Sequence, residues 1–199
     1  MACALRLLML ALLGDMGWRG AYVTVRIPPR HRRRRRRQRL ERAQSAEGLD
    51  EALEGLRIVD TLLPCSSKPI DRRVLARFAF LEGAALLDQG DTSGATEAMT
   101  RAATFHPEYK GERGFPGNHL SLLEERQQYV SALRPGRLFV WREPGMRAMF
   151  IDGVEVERIA ERGISLKPGR HLLQVESPEG LQGMWLDSRG SDSIVVFSK

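Results

Sequence analysis

The sequence predicts an α+β chain of two domains, α-helical hairpins followed by a small antiparallel β-sandwich. Two observations carry that prediction. Small and apolar residues recur at three- and four-residue steps between Leu75 and Pro107, the spacing of a helix face. After Arg134-Pro135-Gly136 the pattern changes to short alternating runs separated by Gly and Pro turns, the pattern of strands. A length of 199 residues, 42% apolar and 28% charged, permits one or two small domains with cores.

Charge is unevenly placed. Residues 1–42 hold twelve Arg against two acids, and the remainder has nineteen Lys plus Arg against twenty-three acids. The part expected to fold is therefore mildly acidic, and the basicity is local. Cys3 to Leu13 is an apolar run, broken only by Arg6, of signal-peptide length and too short to cross a bilayer. Residues 1–38 are read as a signal or anchor segment and an arginine-rich linker, largely disordered. Arg30 to Arg42 contains nine arginines, with Arg32, Arg33, Arg34, Arg35, Arg36 and Arg37 consecutive. Those six are the candidates for an anionic surface, phosphate or lipid headgroup. No aromatic residue interleaves with them and Pro28-Pro29 precedes them, so a solvated linker is favoured over a nucleic-acid arm.

Residues 39–134 are read as the helical domain. Its first hairpin joins a helix over Arg33 to Ala46 to one carrying Ala52, Leu56, Val59 and Pro64. Those four have the spacing of Ala95, Met99, Ala102 and Pro107 at an offset of forty-three residues. Loop formers fill Cys65 to Asp71. In the second hairpin, Gly83, Ala84 and Ala95 let two helices approach, and Leu86 adds an apolar contact. Gly90-Asp91 makes the turn, Met99 and Ala102 continue the second face, and Pro107 ends it. Asn118 is expected to cap a further helix to about Leu133. Leu122, Leu123, Tyr129, Val130 and Leu133 form its apolar face, which covers the last seam.

Residues 136–199 are read as strands at Leu138–Trp141, Ala148–Ile151, Val154–Val156, His171–Glu176, Met184–Asp187 and Ile194–Phe197. Asp152-Gly153 and Lys167-Pro168-Gly169 supply tight turns. Phe139, Trp141, Phe150 and Trp185 are expected in the sandwich core.

Gly83, Leu86, Gly90, Asp91, Ala95, Met99, Ala102 and Pro107 stand as they do in a tetratricopeptide repeat, which this span resembles. Ala79 and Glu82 depart from that pattern, where the family has a large aromatic and a leucine. Gly136-Arg137-Leu138, Pro144-Gly145, Asp152-Gly153 and Leu166-Lys167-Pro168-Gly169-Arg170-His171 resemble the turn order of a PEGA domain. Together the resemblances imply a bacterial envelope protein, extracytoplasmic or periplasmic, that docks a partner through helical repeats. Should the apolar run not be a signal, the location is cytoplasmic. The partner-binding candidates are Arg73, Arg77 and Glu82, on the first helix of the matched repeat.

Catalytic and metal patterns are not evident. His31, His106, His119 and His171 fall on different elements, and His171 reads as a partly exposed structural residue. Cys3 and Cys65 make no disulfide framework or zinc spacing. Asp88 to Gly94 lacks the distal glutamate of a calcium loop, and no phosphate-cradling or dinucleotide motif occurs. The expectation is a non-enzymatic scaffold without cofactor or metal. Its partner is an unidentified protein or peptide, with an envelope component as a further contact. The alternative is a nucleic-acid or anionic-surface binder acting through Arg30–Arg42.

Overall fold

The computed structural model describes residues 48–141, 145–156, 163–191 and 193–196. The apolar run, Arg32–Arg37 and the helix expected over Arg33–Ala46 lie outside the described residues. Helix α1 covers residues 48–62 and runs into a 3-10 turn, Leu63–Cys65. Helices α2 (Arg72–Gln89), α3 (Thr92–Phe105) and α4 (Gly117–Ala132) follow.

The hairpin of α2 and α3 forms as its small residues dictate. Gly83, Ala95, Met99 and Ala102 are buried, with Leu86 half-buried beside them. A Cβ at Gly83 would stand 3.0 Å from Met99 Cγ and 3.2 Å from the Ala95 carbonyl oxygen, so the helices touch where the sequence is smallest. Gly90 takes φ 87°, a left-handed cap that favours glycine. Asp91 then caps α3, accepting from the Gly94 N–H at 2.9 Å. Pro107 lies exposed just past the end of α3.

Two helical expectations are corrected. In α1 the buried residues are Leu53 and Leu62, whereas Ala52, Leu56 and Val59 are half-buried. Leu53 and Leu62 fall on opposite sides of a helix, so α1 packs against more than one neighbour and not along one small-residue stripe. Asn118 does not cap α4. Pro116, extended at ψ 151°, turns the chain into the helix at Gly117 and leaves Asn118 within the first turn. Leu123 and Val130, seven residues apart, supply the buried face, and Tyr129 beside them is 50% exposed.

Among the described residues seven strands follow: β1 (Gly136–Trp141), β2 (Ala148–Ile151), β3 (Val154–Glu155), β4 (Ile164–Leu166), β5 (Gly169–Ser177), β6 (Gly180–Ser188) and β7 (Ser193–Val196). They form a three-stranded sheet ordered β4-β1-β7 and a four-stranded sheet ordered β3-β2-β5-β6. Pairings are antiparallel except that β7 lies parallel to β1. Between the sheets lie Leu138, Val140, Met149, Ile151, Leu166, Leu173 and Val175, an aliphatic and methionine core. The expected aromatic core is not found among the described side chains: Phe139 and Phe150 are half-buried and Trp185 packs on the helices, while the Trp141 side chain lies outside the described ones.

Strand β5 explains why. Alternate residues on a strand face opposite ways, and both faces of β5 are buried. Leu173 and Val175 enter the core between the sheets, while Leu172 joins Leu75, Phe80, Met99 and Phe105 in the helical core. The result is three layers, helices on the four-stranded sheet on the three-stranded sheet. The boundary expected at 134–136 therefore marks a change of secondary structure, with Leu172 and Trp185 on the helical side of the burial. Glycine permits the contact between layers. A Cβ at Gly153 would come within 2.0 Å of the Ile70 carbonyl oxygen, and one at Gly183 within 2.7 Å of that of Pro64. Beside them Gln174, fully buried, accepts from the Ile70 N–H at 3.0 Å.

Candidate functional site

Where the helices meet the four-stranded sheet, an open groove of about 480 Å³ runs between α3, α4 and the paired strands β5 and β6. One wall is a threonine row on α3: Thr96, Thr100 and Thr104, spaced one turn apart. Each hydroxyl donates to the carbonyl four residues back, at 2.7, 2.7 and 2.9 Å. Their protons are spent on the helix, so the row presents methyl groups and oxygen lone pairs.

Donors come from the other walls. Arg126 of α4 is ion-paired with Glu125 and sits 5.1 Å from the centre of the Tyr129 ring. Arg170 of β5 donates to Asp60 at 2.8 Å and lies 4.1 Å from the centre of the Trp185 ring. Both guanidinium planes are thus held in place before any ligand arrives, which lowers the ordering cost of binding. Glu97 and Asp187 add acidic groups to the lining. A wall of acceptors facing a wall of positioned donors matches a polypeptide backbone, which carries both kinds of group.

The residues singled out from sequence are not brought together. Arg73 is exposed at the start of α2, and Arg77 Nε lies 3.4 Å from Glu112. Glu82 is turned to α3, where it accepts from Arg101 at 2.7 Å beside a small gap of about 10 Å³. Sequence reasoning missed the groove because its walls come from three separated segments. The threonine row at four-residue steps was the one signal available.

The described histidines are His106, His119 and His171. His119, 1% exposed, meets Asp88 through Nε2 at 3.0 Å. Burial, with the nearby charge of Arg72, lowers the pKa of His106. Burial and a hydrogen bond to Glu112 raise that of the Tyr109 phenol. His171 is 3% exposed, not partly exposed as expected, because its ring is enclosed between the β2–β3 turn and the β4–β5 loop. Nδ1 meets Asp152 Oδ2 at 2.6 Å and Nε2 meets the Lys167 carbonyl at 2.8 Å. Burial works to lower the His171 pKa, but the hydrogen bond and charge of Asp152, with the Lys167 carbonyl and Asp187, outweigh it and raise it.

Among the described residues no group of three His, Cys, Asp or Glu side chains is arranged to hold a metal ion. No described helix is long and apolar enough to cross a membrane. No protein-family model matches the chain, and neither a curated protein nor a solved structure matches it.

Proposed function

We propose that this chain is a non-enzymatic interaction protein of the bacterial cell envelope, docking a protein or peptide segment in the groove between α3, α4 and β5–β6. The observation that carries the reading is the pairing of the α3 threonine acceptors with the fixed guanidinium donors of Arg126 and Arg170 across one open groove. The tetratricopeptide-like hairpin supplies a stiff wall, and the PEGA-like strands supply the opposite one. The envelope assignment rests on the resemblance of those two segments and on the Cys3–Leu13 run.

A photo-crosslinking residue at position 100 or 129 tests the docking. It should capture a defined partner in cells of the native host, whereas the same residue at exposed position 155 on β3 should not. Equal capture at all three positions, or none, overturns the groove as the docking surface. Fractionation with the mature N-terminus determined by mass spectrometry tests the location, and an uncleaved, purely cytoplasmic protein removes the envelope part.

The second reading, binding to nucleic acid or anionic lipid through Arg30–Arg42, rests on nine arginines in thirteen residues. It requires salt-sensitive binding that disappears when those residues are deleted.

A further inference from the structure

His171 carries an instruction that its motif alone does not reveal. Each of its ring nitrogens faces an acceptor: the Asp152 carboxylate at 2.6 Å and the Lys167 carbonyl at 2.8 Å. A carbonyl oxygen has no proton to give, so Nε2 must carry one. Asp152 is itself fixed, since its Oδ1 accepts from the Leu172 N–H at 2.8 Å and its own N–H donates to the Leu172 carbonyl at 2.8 Å. Between Nδ1 and Oδ2 there must then be a second proton, because two bare lone pairs at that distance repel. With the ring 3% exposed, water does not stand in for a lost partner.

Both partners of the ring reach a helix. The turn that carries Asp152 continues into Gly153, whose Cα packs on the backbone of residues 70–72 at the start of α2. Lys167 extends Nζ to the carbonyls of Ser131, at 2.9 Å, and Leu133, at 2.5 Å, at the end of α4. Of the charged groups that face the ring, Asp152 comes from the β2–β3 turn and Asp187 from β6, and both favour the proton. The Lys167 loop contributes its carbonyl.

We propose that His171 is a proton-dependent latch which, while doubly protonated, holds the β2–β3 turn and the Lys167 loop against the ends of α2 and α4. Loss of one proton leaves the ring a single N–H for two acceptors. One of the two loops is then released from the ring, and with it one tie between the strands and the helices. The Lys167 loop leads directly into Gly169 and Arg170, which line the groove, so the latch sets the position of that wall. The latch stands whether or not the groove is a docking site.

The test is the imidazole nitrogen spectrum of the labelled full-length chain through a pH titration. His171 should show two protonated nitrogens below pH 6.5, with a midpoint above that value. The amides of Gly153, Gly169 and Leu133 should shift with that same midpoint. A ring with one protonated nitrogen below pH 6.5, or amides that do not follow the ring, overturns the proposal. A Lys167→Met variant should keep the His171 midpoint and uncouple the Leu133 amide from it. A Leu133 amide that still tracks the ring in this variant also overturns it, since the path through Lys167 would then be wrong.

Discussion

The guanidinium of Arg170 lies 4.1 Å from the centre of the Trp185 ring, across the β5–β6 pair. Both residues also bind one acid of α1. Arg170 Nη1 donates to Asp60 Oδ2 at 2.8 Å, and Trp185 Nε1 donates to the Asp60 carbonyl at 3.1 Å. Trp185 packs in turn on Phe105, with ring centres 6.1 Å apart. The three residues bind sheet to helix with an ion pair, a hydrogen bond and an aromatic face.

Arg170→Ala is expected to destabilise the fold by about 1–2 kcal/mol, and Trp185→Ala by about 3 kcal/mol. Because the two touch, the double variant should cost less than the sum by about 0.5–1 kcal/mol. Urea unfolding of the four proteins measures this, and strict additivity would show that the stacking contributes nothing.

At Gly83 two effects oppose each other. A methyl would relieve the entropy cost of a helical glycine, worth about 1 kcal/mol, yet stands 3.0 Å from flexible Met99 and 3.2 Å from the fixed Ala95 carbonyl. Gly83→Ala should therefore be close to neutral, whereas Gly83→Leu has no room and should cost about 3 kcal/mol or more. Thermal melts of both decide it; a tolerated leucine would mean that α2 and α3 are not in close contact.

Gly153 has no such compensation. Its φ of +76° disfavours any side chain, and a Cβ would overlap the Ile70 carbonyl at 2.0 Å. Gly153→Ala should cost about 3 kcal/mol or more, from overpacking added to backbone strain. Near-ultraviolet circular dichroism of the tryptophans should report the loosening of sheet from helices.

Stability should fall on the alkaline side. The folded-state pKa of His171 is raised above 6.5, so the native state keeps a proton that the unfolded chain releases. That contribution is complete below pH 6.5, and is lost as pH rises through the raised folded-state value. Within that window the unfolding constant should rise by up to about tenfold per pH unit. His171→Gln should be less stable at acid pH and flatter with pH; an unchanged slope would assign the dependence elsewhere.

Thr100→Lys, in the middle of the threonine row, should leave stability within about 0.5 kcal/mol, as a half-exposed groove position allows. Partner capture should nonetheless be lost, because a long cation then lies between the acceptor wall and the donors.

What was legible in the sequence followed from local physics. Gly90-Asp91 needs only its own backbone to define the turn, and the Gly83, Ala95 and Ala102 spacing defines the seam without reference to the rest of the chain. Asp152 and His171 each stand in a turn motif of the sequence, but their meeting depends on how β2 and β5 pair. Alternation alone places Trp185 on one face of its strand without saying which, and only the helices determine that it faces them. Strand β4, three residues long, is too short for alternation to register. Tyr129 shows the same limit on a helix: adjacent positions differ by a large angle, and the seven-residue relation of Leu123 to Val130 left it on the groove side.

The parallel pairing of β1 with β7 has a kinetic consequence. Leu138 is aligned with Ser193 and Trp141 with Val196, so β1 must wait for β7 to be synthesised, more than fifty residues later. Contacts so distant along the chain form late, after the helices and the β5–β6 hairpin have had time to assemble from neighbouring residues. During that interval β1 has an open edge, and a chaperone that recognises extended backbone would find it there.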